Sequence, residues 1–233
     1  TVARSAGGRT LRVCITGGAG FIGSHLADAL IESGHSVRVY DNLDPQVHGT
    51  VTSPKHVNEN AEFIRGDVRD PAQLARAIKD VDVIFHLAAA TGVGQSMYQI
   101  ARYAEVNIQG TAILLDILAD THHIEKLVLA SSRAVYGEGQ YLCSECGAVT
   151  PWPRTQEQLQ RANWNPKCPR CGREVNPAPT SEEAQLRPGS IYAISKRVQE
   201  EMCLCVGRAY EVPVVVLRYF NVYGPRQALS NPY

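Results

Sequence analysis

The sequence predicts an α/β protein built on a doubly wound parallel sheet, with a small unit of different composition set into it. Three observations predict this. Strand-like and helix-like segments alternate through the first half of the chain and resume after residue 189. The strands read as continuous apolar runs, as in a parallel sheet covered on both faces. A glycine-rich turn separates the first strand from the first helix.

The elements follow in order. "LRVCIT" (11–16) is a short β-rich run that ends in glycines. Phe21, Ile22, Leu26, Leu30 and Ile31 recur at helical spacing, and Gly34 ends that helix. "SVRVYD" (36–41) and "AEFIRGD" (61–67) are the second and third strands. Pro71 can open a helix that runs to Ile78. "VDVIFHLAA" (81–89) reads as a buried strand, and a long helix covers about 98–119. "KLVLASS" (126–132) is a strand, 189–210 is mostly helical, and "VPVVVLRYF" (212–220) is the last strand. Residues 138–185 are rich in Gly, Pro, Cys and polar residues and lack periodicity. So long a structureless loop does not suit a compact domain, and an insert with its own organising centre resolves the difficulty. The chain thus divides into 11–137, an insert at 138–185, a second part of the same domain at 186–227, and the start of a further region at 228–233.

Lys plus Arg equals Asp plus Glu at 23 each, so no basic excess points to nucleic acid. No apolar run reaches the ~18–20 residues that span a membrane. "TVARSAGGRT" lacks the apolar core of a signal peptide, and a cytoplasmic protein is the default expectation. Of seven cysteines, Cys14, Cys203 and Cys205 are expected to be small buried apolar residues.

"TGGAGFIG" (16–23) spaces Gly17, Gly20 and Gly23 between strand and helix. A dinucleotide pyrophosphate must approach backbone N–H groups at a helix N-terminus, and side chains there would block it. Asp41 ends the second strand, where a carboxylate can accept both ribose hydroxyls and would repel a 2′-phosphate. The expected cofactor is therefore NAD on a Rossmann-type sheet. Asp67 can reach the adenine or cap its own strand end. "YAISK" puts Tyr192 and Lys196 on one helical face. A neighbouring ammonium favours the phenolate and makes Tyr192 a usable general base. Ser132 can hydrogen-bond the substrate oxygen or serve as a strand-end cap.

The stretches "TGGAGFIGSHL", "YDNL", "GDVRD", "FHLAA", "VNIQGT", "SSRAVYG", "YAISK" and "LRYFNVYGPRQ" occur in one order over 11–227. In them the sequence resembles the extended short-chain dehydrogenase/reductases of the nucleotide-sugar epimerase and dehydratase group. The resemblance implies a pyrophosphate turn at Gly17, Gly20 and Gly23, ribose binding by Asp41, and an adenine site flanked by Asp67 and Val68. It implies that Ala88 and Ala89 line the cofactor channel, with Asn107 nearby supporting the sheet, and that Phe220 and Val222 lie near the nicotinamide. Phe21, Ile22, Asn42 and Leu87 join them as cofactor-binding positions. Ser132, Tyr192 and Lys196 would be the catalytic trio. Thr91 and Asn221 would touch substrate beside Ser132 and Tyr192.

The dehydratase branch carries an acidic pair just after the serine, where this sequence has Arg133 and Ala134. The resemblance therefore implies a 4-epimerase. "ATGVGQSMYQIARY" (90–103), the insert and "PRQALSNPY" most resemble dTDP-L-rhamnose 4-epimerases. UDP-hexose or UDP-glucuronate 4-epimerases, or a related dehydratase or decarboxylase, are the alternatives. A non-catalytic NAD-binding sensor or assembly subunit is the reading from another class. Family members run on past the point where this chain stops, so most of the substrate domain is expected to be absent and turnover by residues 1–233 to be poor. The family also implies a homodimer through the helices near 98–119 and 189–210.

Cys143-x-x-Cys146 and Cys168-x-x-Cys171 are each followed by glycine, Gly147 and Gly172. Four thiolates on two such knuckles suit a structural Zn²⁺ in a ribbon-like insert. Iron with the same ligands, two disulfides and redox pairs are the rivals. Trp152 and Trp164 are expected to fill the ribbon's small core, with its basic residues solvated rather than bound to nucleic acid.

Overall fold

The structure, a computed structural model, describes residues 9–121 and 124–228. Of the segment 228–233 only Ala228 is therefore described. The main sheet takes β1 (Arg12–Thr16), β2 (Ser36–Asp41), β3 (Glu62–Arg65), β4 (Val83–His86) and β5 (Lys126–Ser132). Three short strands follow, β6 (Tyr141–Cys143), β7 (Gly147–Val149) and β8 (Asn176–Pro177), and then β9 (Val214–Tyr219) completes the main sheet. Its order is β3-β2-β1-β4-β5-β9, and every pairing is parallel. The chain winds outward from β1 to β3, then returns to β4 on the other side of β1. The loops leaving β1 and β4 therefore diverge, and a crevice opens between them at the carboxyl ends of the strands.

Side chains of one strand alternate between faces, and the two cores follow from that. Val13, Ile15, Val37 and Val39 pack with Ala27 and Leu30 of α1 (Phe21–Glu32). Cys14, Tyr40, Ile84, Leu127 and Leu129 pack on the opposite face. That second layer is supplied by α3 (Pro71–Ile78), α6 (Gly110–Thr121) and α8 (Ile191–Ala209). Short helices α2 (Pro45–His48), α4 (Val93–Ser96), α5 (Ile100–Tyr103) and α7 (Gln156–Gln160) complete the set. Cys14 and Cys203 are buried fill, and burial pushes both thiols up to about 12. Cys205, expected with them, is exposed on α8.

The sequence places one helix over 98–119. The structure instead runs α5 into a π-helical stretch, Ala104–Gln109, before α6. α8 starts cleanly because the Ser190 hydroxyl accepts from Ala193 N–H at 3.1 Å.

Within 138–185, β6 and β7 form a hairpin and β8 pairs on the other side of β6. Gly147 and Gly172 take φ of +70° and +74°, which lets the chain reverse directly after each knuckle. Cys143, Cys168, Val149 and Val175 are the buried centre. The tryptophans are not part of it: Trp152 and Trp164 are 63% and 65% exposed. Trp152 instead lies under the Arg187 guanidinium at 4.5 Å. Two valines and two cysteines fill this small centre, with Tyr141 and Cys146 packed against it. Arg154, Arg161 and Arg173 each pair with a carboxylate, Glu138, Glu157 and Glu145 respectively. The two stems of this unit meet at Gly137, where a Cβ would lie 2.1 Å from the Arg187 carbonyl oxygen.

Candidate active site

A cavity of about 910 Å³ fills the crevice. The three glycines of the turn have three different jobs. Gly17 has φ of +70°, and a Cβ there would sit 2.7 Å from Ala88 N. Gly23 lets α1 pack against the turn, since a Cβ would meet Gly17 O at 2.5 Å. Gly20 faces no such obstacle within the protein; a Cβ there would meet only Gly17 O, at 3.3 Å. The space beside Gly20 belongs to the cavity. Gly20 is also the N-cap of α1 and offers no side-chain bond to the first turn. The orphan amides of that turn are thus left for an anion. Phe21 and Ile22 line the cavity there with Gly23.

Asp41 lies in the wall, 8% exposed. Its carboxylate accepts from Ala19 N–H at 3.1 Å and Leu43 N–H at 2.8 Å, and His48 Nε2 stands 3.7 Å away. Burial raises its pKa against these donors. Two of its lone-pair positions are used to brace the glycine turn and the β2–α2 loop, and the rest remain for a ligand's hydroxyls. An open glycine, an uncapped helix and a buried carboxylate in one crevice fit a dinucleotide.

Asp67 also lines the cavity, but its side chain is engaged by its own turn. It accepts from Arg69 N–H and the Arg69 guanidinium, and from Asn42 Nδ2. The Arg69 bonds hold its carboxyl down to about 2. The Asp67 side chain thus braces its own turn, and it lines the cavity beside Val68. Leu87, Ala88 and Ala89 line the far wall. Asn107 does not face the cavity. It is fully buried, donates to Ala90 O and Ser195 Oγ, and accepts from Ala90 N–H. Its amide is spent on holding the β4–α4 loop, so it supports the cavity from behind.

Sequence reasoning missed the residue under this loop. His86 is fully buried, with Nδ1 2.7 Å from Thr16 Oγ1 and Nε2 3.0 Å from Thr111 Oγ1. Thr111 spends its one hydroxyl proton on Asn107 O, so His86 must donate to it from Nε2. Thr16 Oγ1 in turn accepts from Ala88 N–H. Burial, with the Lys196 charge as a lesser cause, pushes His86 down to about 3 and keeps it neutral. The signal in the sequence was only a polar residue at the end of an apolar strand.

Ser132, Tyr192 and Lys196 all line the same cavity. Ser132 Oγ accepts from Ala134 N–H at 3.1 Å, so it caps the turn Arg133–Tyr136 as well as facing the cavity. Tyr192 stands one turn before Lys196 on α8, edge-on to Tyr103 at 6.3 Å. The Lys196 ammonium donates to Ala130 O at 2.8 Å on β5. Burial pushes Lys196 down from its ordinary 10.5 to about 8. Thr91, Phe220, Asn221 and Val222 also line the cavity, and Arg133 Nε donates to Asn221 Oδ1 at 3.3 Å. Gly137, Glu138 and Pro153 bring the stem of the insert into the wall.

In the insert, the sulfurs of Cys143, Cys146, Cys168 and Cys171 lie within 4.8 Å of one another. Burial opposes ionisation of Cys168, but the N–H groups of Cys171 and Arg170 together with the Cys171 and Cys143 thiols bring it to about 6. Four converging sulfurs with N–H donors at one of them fit a thiolate-bound metal.

Comparison with known proteins agrees with this geometry. The profile of the NAD dependent epimerase/dehydratase family matches residues 13–159 and 171–232. The dTDP-L-rhamnose 4-epimerase of Burkholderia thailandensis is 37% identical over 225 residues, 95% of this chain and 61% of that protein. The UDP-N-acetyl-alpha-D-glucosaminuronate decarboxylase of Bacillus cytotoxicus is 33% identical, over 95% of this chain and 57% of that protein. The solved UDP-glucuronic acid 4-epimerase of Bacillus cereus, in complex with UDP-glucuronic acid and NAD, matches with a TM-score of 0.71 at 28% identity. That match covers 94% of this chain and 59% of the other. The chain thus spans about three-fifths of the length of the relatives it matches. The glycine turn, the six-stranded order and the family profile lead to one conclusion: this chain belongs to the NAD dependent epimerase/dehydratase family.

Proposed function

We propose that this chain is the NAD-holding and catalytic part of a nucleotide-sugar 4-epimerase, with dTDP-L-rhamnose as its substrate. The observation that carries the reading is the meeting of the glycine turn, Asp41 and the Ser132–Tyr192–Lys196 trio around one cavity. The 37% identity to the Burkholderia dTDP-L-rhamnose 4-epimerase supports this choice of sugar. Arg133 and Ala134 support epimerisation over dehydration, because neither supplies the acid that elimination of water needs.

The residues act as follows. The first turn of α1 and the open face of Gly20 bind the pyrophosphate, and Asp41 takes the ribose hydroxyls. Bound NAD supplies the acceptor and later the donor of a hydride. Tyr192 takes the proton of the sugar 4-hydroxyl as that carbon is oxidised, and returns it after the keto sugar has turned its other face. Ser132 hydrogen-bonds the same oxygen. The Lys196 charge favours the phenolate of Tyr192. Positioning, not covalent catalysis, is the protein's task.

The four sulfurs hold a structural Zn²⁺ in this reading. Tetrahedral Zn–S bonds of about 2.3 Å put the sulfurs about 3.8 Å apart, and Cys143 and Cys171 are separated by 3.5 Å. Exposed Met97, Tyr98 and Ile100 before and on α5, with Ile194 and Leu204 on α8, support a homodimer through these helices. No helix among the described residues is long and apolar enough to cross a membrane.

The test is incubation of the purified protein with NAD and, separately, dTDP-L-rhamnose, UDP-galactose and UDP-glucuronate. NMR detection of the 4-epimer identifies the substrate. Tight NAD binding with no conversion of any of them would favour the sensor reading.

A further inference from the structure

Arg218 sits on β9, the edge strand, yet its side chain is only 23% exposed. Its guanidinium uses every face. Nε and Nη2 pair with both carboxylate oxygens of Glu200, at 3.1, 3.2 and 2.8 Å. Nη1 donates to Tyr136 Oη at 2.8 Å and to the Glu182 carbonyl at 3.1 Å. The group also lies 4.9 Å over the Tyr136 ring. Glu200 is 3% exposed and accepts in addition from Ser131 Oγ.

Each partner lies on an element that carries part of the site. Glu200 is one turn after Lys196 and two turns after Tyr192 on α8. Tyr136 closes the turn that Ser132 caps, and Ser131 precedes Ser132 on β5. Glu182 lies on the limb returning from the four-cysteine unit. A planar fork of five donors can serve three directions at once, which a lysine cannot.

We propose that Arg218 is a positioning residue for the hydride-transfer site, holding the elements that carry Ser132, Tyr192 and Lys196 in one register and tying the insert to them. The proposal rests on the reading of those three residues as the catalytic trio. The mechanism is rotational. Lys196 reaches β5 through Ala130 O, and Glu200 fixes the next turn of the same helix face. Without that second anchor α8 can turn against β5 and carry the ammonium and the phenol out of place. The other titratable groups around this pair are Cys203 on α8, His86 on β4 and Tyr103 on α5.

The experiment compares the parent with Arg218→Lys, Glu200→Gln and the milder Tyr136→Phe, using Tyr192→Phe as the reference. Tyrosinate absorbance near 295 nm is followed against pH, alongside NAD affinity, melting temperature and reduction of bound NAD at 340 nm on mixing with sugar nucleotide. The expected result has the parent showing one tyrosine that ionises below the ordinary range and vanishes in Tyr192→Phe. In Arg218→Lys and Glu200→Gln that midpoint moves upward and NAD reduction slows at least tenfold, with NAD affinity within threefold. Tyr136→Phe keeps the fold and shows the same changes in smaller measure. If the three variants lower only the melting temperature and leave midpoint and reduction rate unchanged, Arg218 is a stability residue and the proposal is overturned. If the parent itself shows no such tyrosine, the trio reading falls and takes the proposal with it.

Discussion

Gly20 and Gly17 differ by three positions and by opposite physics. Gly17 is needed by the backbone, with φ of +70° and Ala88 N where a Cβ would go. Gly20 has a negative φ and only Gly17 O near a Cβ, at 3.3 Å, and the space beside it belongs to the cavity. Gly20→Ala is expected to melt within about 2 °C of the parent and to lose at least about tenfold in NAD affinity. Gly17→Ala should lose about 1–3 kcal/mol of stability from strain alone. Calorimetric titration and thermal melts separate the two. Lys196 gives a second prediction with a definite sign. Its folded pKa, about 8, lies below the ordinary 10.5, so burial of the charge opposes folding at neutral pH. Between those values the unfolded chain binds more protons, and this group's contribution makes stability rise with pH. Lys196→Met is therefore expected to melt higher at pH 7 by the equivalent of about 1–2 kcal/mol, with the gap narrowing by pH 10, while tyrosinate formation at Tyr192 is lost. The turn glycines, Asp41, Ser132, Tyr192 and Lys196 stand out in the sequence as candidates because each is a residue type at a fixed offset, and the structure brings them to one cavity. His86 and Arg218 do not, because their roles depend on long-range contacts that leave no local pattern.

At the scale of elements, the sequence showed every strand of the main sheet and misread the detail of one helix. Apolar runs bounded by Gly, Pro and Asp are a strong local signal. The π-helical stretch at Ala104–Gln109 has none, since its six residues make little more than one turn, too short to show a period of its own. It nonetheless carries Asn107, whose amide clamps Ala90 on two sides. The strands of the insert run two or three residues, too short to alternate visibly. α8 begins at the Ser190 cap, two residues before Tyr192. Ser190→Ala is expected to cost about 1 kcal/mol in a denaturant melt and to fray the turn that presents the phenol, whereas Ser190→Asp keeps both.

Over the whole molecule, the order β3-β2-β1-β4-β5-β9 places the cavity where the winding reverses, and the insert meets that cavity at one side only. Its wall residues are Glu138 and Pro153, next to Gly137 at its neck, while the glycine turn and Asp41 lie on other elements. If the four sulfurs hold the proposed Zn²⁺, its removal by a chelator is expected to raise the sugar-nucleotide KM several-fold and leave NAD affinity within about twofold. Cobalt substitution, read by its thiolate charge-transfer absorption, reports occupancy in the same sample. A parallel loss of NAD binding would show that the insert supports the main sheet. Sequence reasoning placed the tryptophans of 138–185 inside, because aromatic residues in a small unit usually fill it, and the structure leaves both exposed. Here two valines and two cysteines are the filling, and Trp152 lies under the Arg187 guanidinium.

The contact of Gly137 with the Arg187 carbonyl has a consequence for engineering. The stems of the insert leave and rejoin the main body at nearly one point, so the unit is a cassette on a closed neck. Closing such a neck with a short bridge demands little loop entropy. A chain in which a glycine-rich linker of about three residues replaces 138–186 should still bind NAD, and its melting curve should lose only the step that a chelator abolishes in the parent. Such a chain would also be a blank acceptor into which a foreign metal-binding or recognition unit could be set, directly beside the cavity.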